Sequence, residues 1–313
     1  MSKMITIAID AMGGDGSPKK IIDGINHHYK STSDVFYKIY GDQEHISKFL
    51  PSTLNQKSFK IFDTKNIVKG TDTPLEAAKR GKDTSMWLAI ESVKKKEADV
   101  VISAGNTGAL LVISKLNLKM IENIDKPALS ALWPNKKGMS VVLDLGANIE
   151  CSDKNLIDFA IMGSSLFKSL YPDETAKVAL LNIGSEEIKG NEVIKETYKK
   201  LNQVENLDFE FKGYIEGNNL MKGEVNVIVS DGFTGNIALK TAEGTANFIT
   251  EELKKALTNN IIGKLSGLLN YMNLKKFKKR LDPRLYNGAI FIGLDSPVIK
   301  SHGSTDFIGF SNS

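Results

Sequence analysis

Twice in this chain an apolar, strand-like run breaks into the same pattern, Ser-x-Gly-x-Thr-Gly, and continues as a helix-like run. The first copy, residues 103–108, follows Ala98-Asp99-Val100-Val101-Ile102. The second, residues 230–235, follows Val225-Asn226-Val227-Ile228-Val229. A strand that ends in glycines and small hydroxyl residues before a helix leaves backbone N–H groups free at the helix N-terminus, where the macrodipole favours an anion. An ordinary βα turn uses the same chemistry, with glycines supplying tight geometry and Thr107 or Thr234 capping a helix. Two copies in one chain suggest more than turn-making: a substrate rich in phosphate.

The rest of the chain continues this alternation. Residues 3–11 read as a buried first strand ending in Asp10-Ala11-Met12-Gly13-Gly14-Asp15-Gly16. Pro18 then takes a first helical position, and Ile21, Ile22 and Ile25 form a helical face. Further strands are expected at 35–40, 59–62, 98–102, 128–133, 140–145, 177–183, 209–214, 225–229 and 289–292. Helical patterns fall at 74–97, 107–118, 154–171, 191–201 and 234–257. This order implies an α/β fold with a largely parallel sheet covered by helices, its ligand crevice beyond the carboxyl ends of the strands. Five strand ends carry small and polar residues: 10–15, 103–108, 144–148, 182–191 and 230–236. In a parallel sheet all five project toward one edge and share a crevice.

A chain of 313 residues buries a large core, as one bilobal unit or two domains. With 41% hydrophobic and 25% charged residues, neither disorder nor a disulfide scaffold is indicated. The single cysteine, Cys151, excludes an intramolecular disulfide and fits a reducing compartment. No basic leader runs into a signal-type apolar stretch and no apolar run reaches membrane-spanning length, so a cytoplasmic location is expected. The net charge of +4 is unevenly spread: residues 254–280 hold eight basic residues and no acidic one. Within that segment Ile261, Ile262, Leu265, Leu268 and Leu269 form an apolar stretch broken by glycines. Leu274, Phe277 and Leu281 follow at helical spacing among Lys275, Lys276, Lys278 and Lys279. Two readings stand: a membrane-interface segment drawn to anionic headgroups, or a helix packed on a partner subunit with a solvated basic face. Nucleic acid is disfavoured, because the patch is short and no stacking-aromatic array accompanies it.

The catalytic motifs are mostly negative. The first glycine-rich loop lacks the Gly-x-Gly-x-x-Gly fingerprint, so a nicotinamide cofactor is poorly supported, and no cofactor of any kind is called for. His27, His28 and His45 lack metal-ligand spacing. His302, in Ser301-His302-Gly303-Ser304, is the one histidine in a loop of active-site character, suited to a phosphate contact, to proton transfer or to simple loop capping. Cys151 has no histidine partner nearby, and neither a Gly-x-Ser-x-Gly elbow nor a Walker-type loop is present. What remains is Lys189, the amides Asn106, Asn148 and Asn236, and the carboxylates Asp10, Asp15, Asp144 and Asp231. These suit a direct displacement in which a phosphate substrate is positioned and developing charge is stabilised.

At these loops the chain resembles the bacterial phosphate acyltransferases of phospholipid synthesis. The match runs nearly end to end. It includes Ile9-Asp10-Ala11-Met12-Gly13-Gly14-Asp15, Ser103-Ala104-Gly105-Asn106-Thr107-Gly108-Ala109, Pro127-Ala128-Leu129 and Leu143-Asp144-Leu145-Gly146-Ala147-Asn148. It continues through Leu181-Asn182-Ile183-Gly184, Lys189-Gly190-Asn191-Glu192, Ser230-Asp231-Gly232-Phe233-Thr234-Gly235-Asn236 and His302-Gly303. Lys126 stands where the family usually shows Arg, keeping the charge and losing the bidentate fork. The Gly16-Ser17 stretch before Pro18 also differs a little.

The resemblance implies a three-layer α/β/α sandwich like that of phosphotransacetylases and isocitrate dehydrogenases, here one bilobal domain over 1–313 with 254–281 as a basic amphipathic protrusion. It implies reversible acyl transfer from acyl-acyl carrier protein to inorganic phosphate, a homodimer, no metal and peripheral membrane association. The acyl phosphate would serve a membrane acyltransferase in phospholipid synthesis. Lys189 and Asn236 are then the expected catalytic pair, with Asp231, Gly232, Thr234 and Gly235 around phosphate. Asp10, Gly13, Gly14, Asp15, Gly105, Asn106, Thr107, Gly108, Asn148 and His302 are expected to complete the substrate site. A phosphate-dependent acyltransferase using coenzyme A and a non-catalytic membrane scaffold for an acidic partner are the alternatives.

Overall fold

The computed structural model describes residues 4–32 and 34–313, so Lys3 of the expected first strand lies outside it. Among the described residues, strands β1 (Ile5–Asp10), β2 (Val35–Gly41), β3 (Phe59–Asp63), β4 (Val100–Ser103), β5 (Ala128–Pro134) and β6 (Met139–Leu143) are followed by β7 (Lys177–Asn182), β8 (Glu210–Glu216), β9 (Val227–Val229), β10 (Ala289–Ile292) and β11 (Val298–Lys300). The helices are α1 (Lys19–Tyr29), α2 (Gln43–Ser47), α3 (Pro74–Lys79), α4 (Ser85–Lys94), α5 (Thr107–Asn117), α6 (Asp153–Leu170), α7 (Glu192–Gln203), α8 (Gly232–Thr258), α9 (Ile261–Leu269), α10 (Tyr271–Leu281) and α11 (Phe307–Asn312). The expected strands all form. β11, α2 and α11, too short to carry a periodic signal, were not anticipated.

All strands join one sheet in the order β3-β2-β1-β4-β11-β10-β5-β6-β9-β7-β8. Pairing is parallel except at β11–β10, β10–β5 and β5–β6. Three reversals in succession turn β6, β7, β8 and β9 opposite to β1, β2, β3, β4 and β11. This corrects the expectation that five loops share one edge. Loops 10–15 and 103–108 leave one edge of the sheet; 144–148, 182–191 and 230–236 leave the other.

Period-two alternation places successive strand residues on opposite faces. On one face of the first half Ile9, Tyr37, Ile39 and Ile102 meet Ile21, Ile22 and Ile25 of α1 and Phe310 of α11. On the other, Ala8, Tyr40 and Val101 meet Met86 and Ile90 of α4 and Leu110 and Ile113 of α5. This core continues into the second half through Leu181 and Ile228, where Ala238, Leu239 and Ala242 of α8 lie against it. Leu156 and Phe159 of α6 cover Leu143, Val178 and Val227 on the opposite face. Sheet and two helical layers make the expected α/β/α sandwich.

Two helix boundaries differ from expectation. The pattern at 74–97 is two helices, interrupted at Gly81, whose φ of +115° no helix accommodates, and restarted at Thr84, whose side chain caps Trp87 N–H. Pro18 precedes α1 as its N-cap residue instead of opening it. No residue of α9 or α10 is buried. Ile261 and Ile262 are 84% and 80% exposed, and Leu265, Leu268 and Leu269 share that exposed face. The exposed apolar surface continues onto α10 at Tyr271, Met272 and Phe277, whereas Leu274 and Leu281 of α10 are half-buried. Among the described residues no helix is long and apolar enough to cross a membrane.

Candidate active site

The two Ser-x-Gly-x-Thr-Gly loops are built alike, each beside a strand that ends in a buried aspartate. Asp10 and Ser103 are register partners at the ends of β1 and β4. Asp10 Oδ1 accepts from Ser85 Oγ at 2.7 Å and Met12 N–H at 3.2 Å, and Oδ2 accepts from Ser103 Oγ at 2.7 Å. In the other half Asp144 follows β6 beside Ser230, to whose carbonyl its N–H donates at 3.0 Å. Its Oδ1 accepts from the N–H groups of Leu129, Gly146 and Ala147, and its Oδ2 from Asn148 N–H and Nδ2, all within 2.7–3.1 Å. Burial pushes both carboxyls up from the ordinary aspartate value, while these donors pull them back. Both carboxylates are occupied in shaping loops. Asp10, expected among the substrate-binding residues, is 1% exposed and bonded to Ser85, Ser103 and Met12.

The loop glycines serve close approach first. A Cβ at Gly13 would stand 2.6 Å from Gly105 N, and one at Gly235 would overlap the Asp144 carbonyl oxygen. Loops 10–15 and 103–108 therefore lie backbone to backbone, as do 144–148 and 230–236. The helix caps are Asn106, accepting from Ala109 N–H at 3.0 Å, and Asp231, accepting from Thr234 N–H at 2.8 Å. Thr107 and Thr234 are therefore first-turn residues, not caps. Asn106 Nδ2 also donates to the Gly70 and Asp72 carbonyls, and Gly108 lies against Pro74. The Asn106 amide is thus committed to neighbouring backbone. Asn148 is similarly engaged, its Nδ2 also donating to the Pro127 carbonyl at 2.7 Å.

The second edge keeps free polar groups. Asn236, one turn into α8, lies 3.6 Å through its Nδ2 from where a Gly146 Cβ would stand, and its amide has no hydrogen-bond partner among the described residues. Lys189 sits in the turn before α7, closed by Asn182 Nδ2 donating to the Gly184 and Lys189 carbonyls at 3.2 Å. Its ammonium is likewise without a partner among the described residues. Grooves flank the head of α8 on both sides, and Asn191, Asp231 and Thr234 line both. Cys151 and Phe233 add to one, Asn182 and Gly190 to the other. Burial and the nearby Asp144 push the Cys151 thiol up to about 11, which leaves little thiolate near neutral pH. Gly232 N–H already donates to the Asn148 carbonyl at 2.7 Å.

The first edge gathers His302, Gly303, Gly14 and Asp15, with Asp15 N–H donating to the Gly303 carbonyl at 3.0 Å. Helix α8 connects the two edges. Its head stands at the second, and Lys240, one turn beyond Asn236, reaches His302 Nε2 at 3.1 Å while pairing with Glu243 at 2.7 Å. A lysine ammonium only donates, so Nε2 faces a donor, while Nδ1 faces Ser304, whose N–H donates to it at 3.3 Å and whose Oγ lies 3.1 Å away. Burial and the surrounding lysines lower the His302 pKa. Lys20 and Lys300 lie at the same edge, and neither figured among the sequence candidates. Their signal was a lysine on the apolar face of a helix and another closing an apolar strand beside the His302 loop. Among the described residues no group of three or more His, Cys, Asp and Glu is placed to hold a metal.

Comparison with known proteins bears on this geometry. A family model described as "Fatty acid synthesis protein" matches residues 5–313. A phosphate acyltransferase of Pelagibacter ubique is 81% identical over 313 residues, covering 100% of this chain and 94% of the relative. One from Rhodospirillum rubrum is 44% identical over 313 residues, covering 100% and 89%. Among solved structures, a phosphotransacetylase from Streptococcus pyogenes matches with a TM-score of 0.64 at 14% identity, over 99% of this chain and 92% of that one. A branched-chain phosphotransacylase from Enterococcus faecalis matches with a TM-score of 0.61 at 14% identity, over 99% and 96%. At such identity these structures share the fold.

Proposed function

The chain belongs to the phosphate acyltransferase family, and on that premise we propose that it is an acyltransferase that moves an acyl group from acyl-acyl carrier protein to inorganic phosphate. A phosphate oxygen attacks the thioester carbonyl carbon, the C–O bond forms, the C–S bond breaks, and the carrier's thiolate leaves with the electron pair. Phosphate is already largely ionised near neutral pH and thiolate leaves readily, so no protein nucleophile is required. The acyl phosphate then supplies glycerophospholipid synthesis through a membrane acyltransferase.

One observation carries the assignment of residues. The unpartnered Asn236 amide stands at the head of α8, directly after the second Ser-x-Gly-x-Thr-Gly loop, and the grooves flanking that head are lined by Asp231 and Thr234, though by neither Asn236 nor Lys189 themselves. In this reading Asn236 and Lys189 hold phosphate and the forming oxyanion, and loops 10–15 and 103–108 with His302 shape the thioester side. Replacing Lys189 or Asn236 by Ala is expected to lower acyl-phosphate formation about 100-fold or more at subsaturating phosphate. Near wild-type rates in both variants would remove this assignment.

The molecule is read as one bilobal domain, supported by its continuous sheet, and as a homodimer. Phe233, Ile237, Phe248 and Ile249, all exposed along α8, support self-association. The apolar face of α9 and the lysines of α10 support a peripheral, cytoplasmic-side membrane contact, and the same lysines suit an acidic carrier protein. A carrier KM that rises with salt in the wild type, and loses that dependence when Lys275 to Lys279 are neutralised, favours the carrier use.

A further inference from the structure

Lys20 and Lys300 are each only 9% exposed. The Lys20 ammonium donates to the Gly303 carbonyl at 2.6 Å and the Lys300 ammonium to the Ser301 carbonyl. Neither makes an ion pair with a carboxylate among the described residues. Asp15 attracts Lys20 and Asp10 attracts Lys300 only from beyond ion-pair distance. Lys240 adds a third ammonium, bound to His302 Nε2, and the three lysines lie close enough to repel: Lys300 feels both Lys20 and Lys240. Lys240 alone has a carboxylate partner, Glu243. Asp10 is itself buried and already accepts from Ser85, Ser103 and Met12.

A buried charge without a counter-charge is costly, and two ammonium groups held together under a loop compound that cost. Selection of cations in such a place is intelligible when a ligand supplies the missing negative charge. The elements that meet there come from far apart in the chain: α1, the end of β11, the His302 loop and the third turn of α8. Gly14 packs directly against Gly303, keeping the backbone of the first glycine-rich loop beside them.

We infer that Lys20, Lys240 and Lys300, with His302, form a binding site for a phosphate group at the first edge of the sheet, separate from the Asn236 and Lys189 site at the second. The chemistry fits two sources: inorganic phosphate, or the phosphodiester of the carrier's phosphopantetheine arm. The proposal rests on the acyl-transfer reading for these sources, but the site itself is tested by binding and needs no turnover.

The experiment measures the thermal midpoint of the full chain with and without saturating inorganic phosphate, 4′-phosphopantetheine, or pantetheine lacking the phosphate. It is repeated for Lys20→Met and Lys300→Met. Methionine replaces each buried ammonium by an apolar chain of similar length, so each variant is expected to fold and to melt higher than wild type without ligand. Wild type is expected to gain about 3 °C or more with a phosphate-bearing ligand. That gain is expected to be lost in both variants. If the lost gain is the one from inorganic phosphate, the occupant is the free ion; if it is the one from 4′-phosphopantetheine, with pantetheine inert, the occupant is the arm. A gain from both ligands that survives in both variants overturns the site. So does a wild type that gains nothing from either. Because Lys189→Ala and Asn236→Ala are judged by turnover alone, failure of one assignment leaves the other standing.

Discussion

At the scale of single residues, the molecule separates groups that shape loops from groups left free to meet a ligand. Asp10 and Asp144 belong to the first kind, saturated with hydroxyl and backbone donors. Asn236 and Lys189 belong to the second. Lys300 is a third kind, a cation kept in place against its own solvation. Burial, reinforced by Lys20 and Lys240 and opposed by Asp10, pushes it down to about 8. An unfolded lysine titrates near 10.5. Between these values the unfolded chain binds a proton that the folded chain has released, so this group's contribution to stability rises with pH across the window and is lowest below it. Urea unfolding of the ligand-free protein at pH 7 and pH 10 is therefore expected to show Lys300→Met gaining more over wild type at pH 7. An equal or larger gain at pH 10 would mean that Lys300 is not a penalised cation.

At the scale of elements, much was legible because it is local. An apolar run, then Gly and small hydroxyl residues, then a periodic helix located β4–α5 and β9–α8 and their loops, since each signal lies within a few residues. The direction of β10 was not legible. Ala289 to Ile292 reads as a strand, but whether it pairs parallel or antiparallel depends on β5 and β11, distant in sequence or too short to register. Because β10 is antiparallel to both neighbours, β5 runs parallel to β11, and it is the further reversal between β5 and β6 that moved three of five candidate loops to the opposite edge. The lysine cluster was hidden for the same reason, its members residing on three elements that only the fold assembles. The α9 segment was legible in composition, and its exposure is what supports the proposed membrane contact. Leu268→Glu places a charge in the middle of that face and is expected to reduce sedimentation with anionic liposomes severalfold, with an unchanged circular-dichroism spectrum. Undiminished sedimentation would assign membrane contact elsewhere.

At the scale of the whole molecule, two half-sheets of opposite direction each end in a buried aspartate beside a Ser-x-Gly-x-Thr-Gly loop, and α8 runs from one end to the other. Asn236 and Lys240 lie four residues apart on α8, an axial rise of about 6 Å, so groups bound at the two edges lie within reach of one extended substrate. In the proposed reaction this arrangement brings a thioester and phosphate together and needs no covalent intermediate on the protein. The most direct test is mass-spectrometric detection of acyl phosphate after incubation with inorganic phosphate and either acyl-acyl carrier protein or acyl-coenzyme A, side by side. Acyl phosphate is expected from the carrier-bound donor, dependent on added phosphate and retained in Cys151→Ala. Acyl phosphate from coenzyme A alone would reassign the donor. Its absence with both donors would contradict the account.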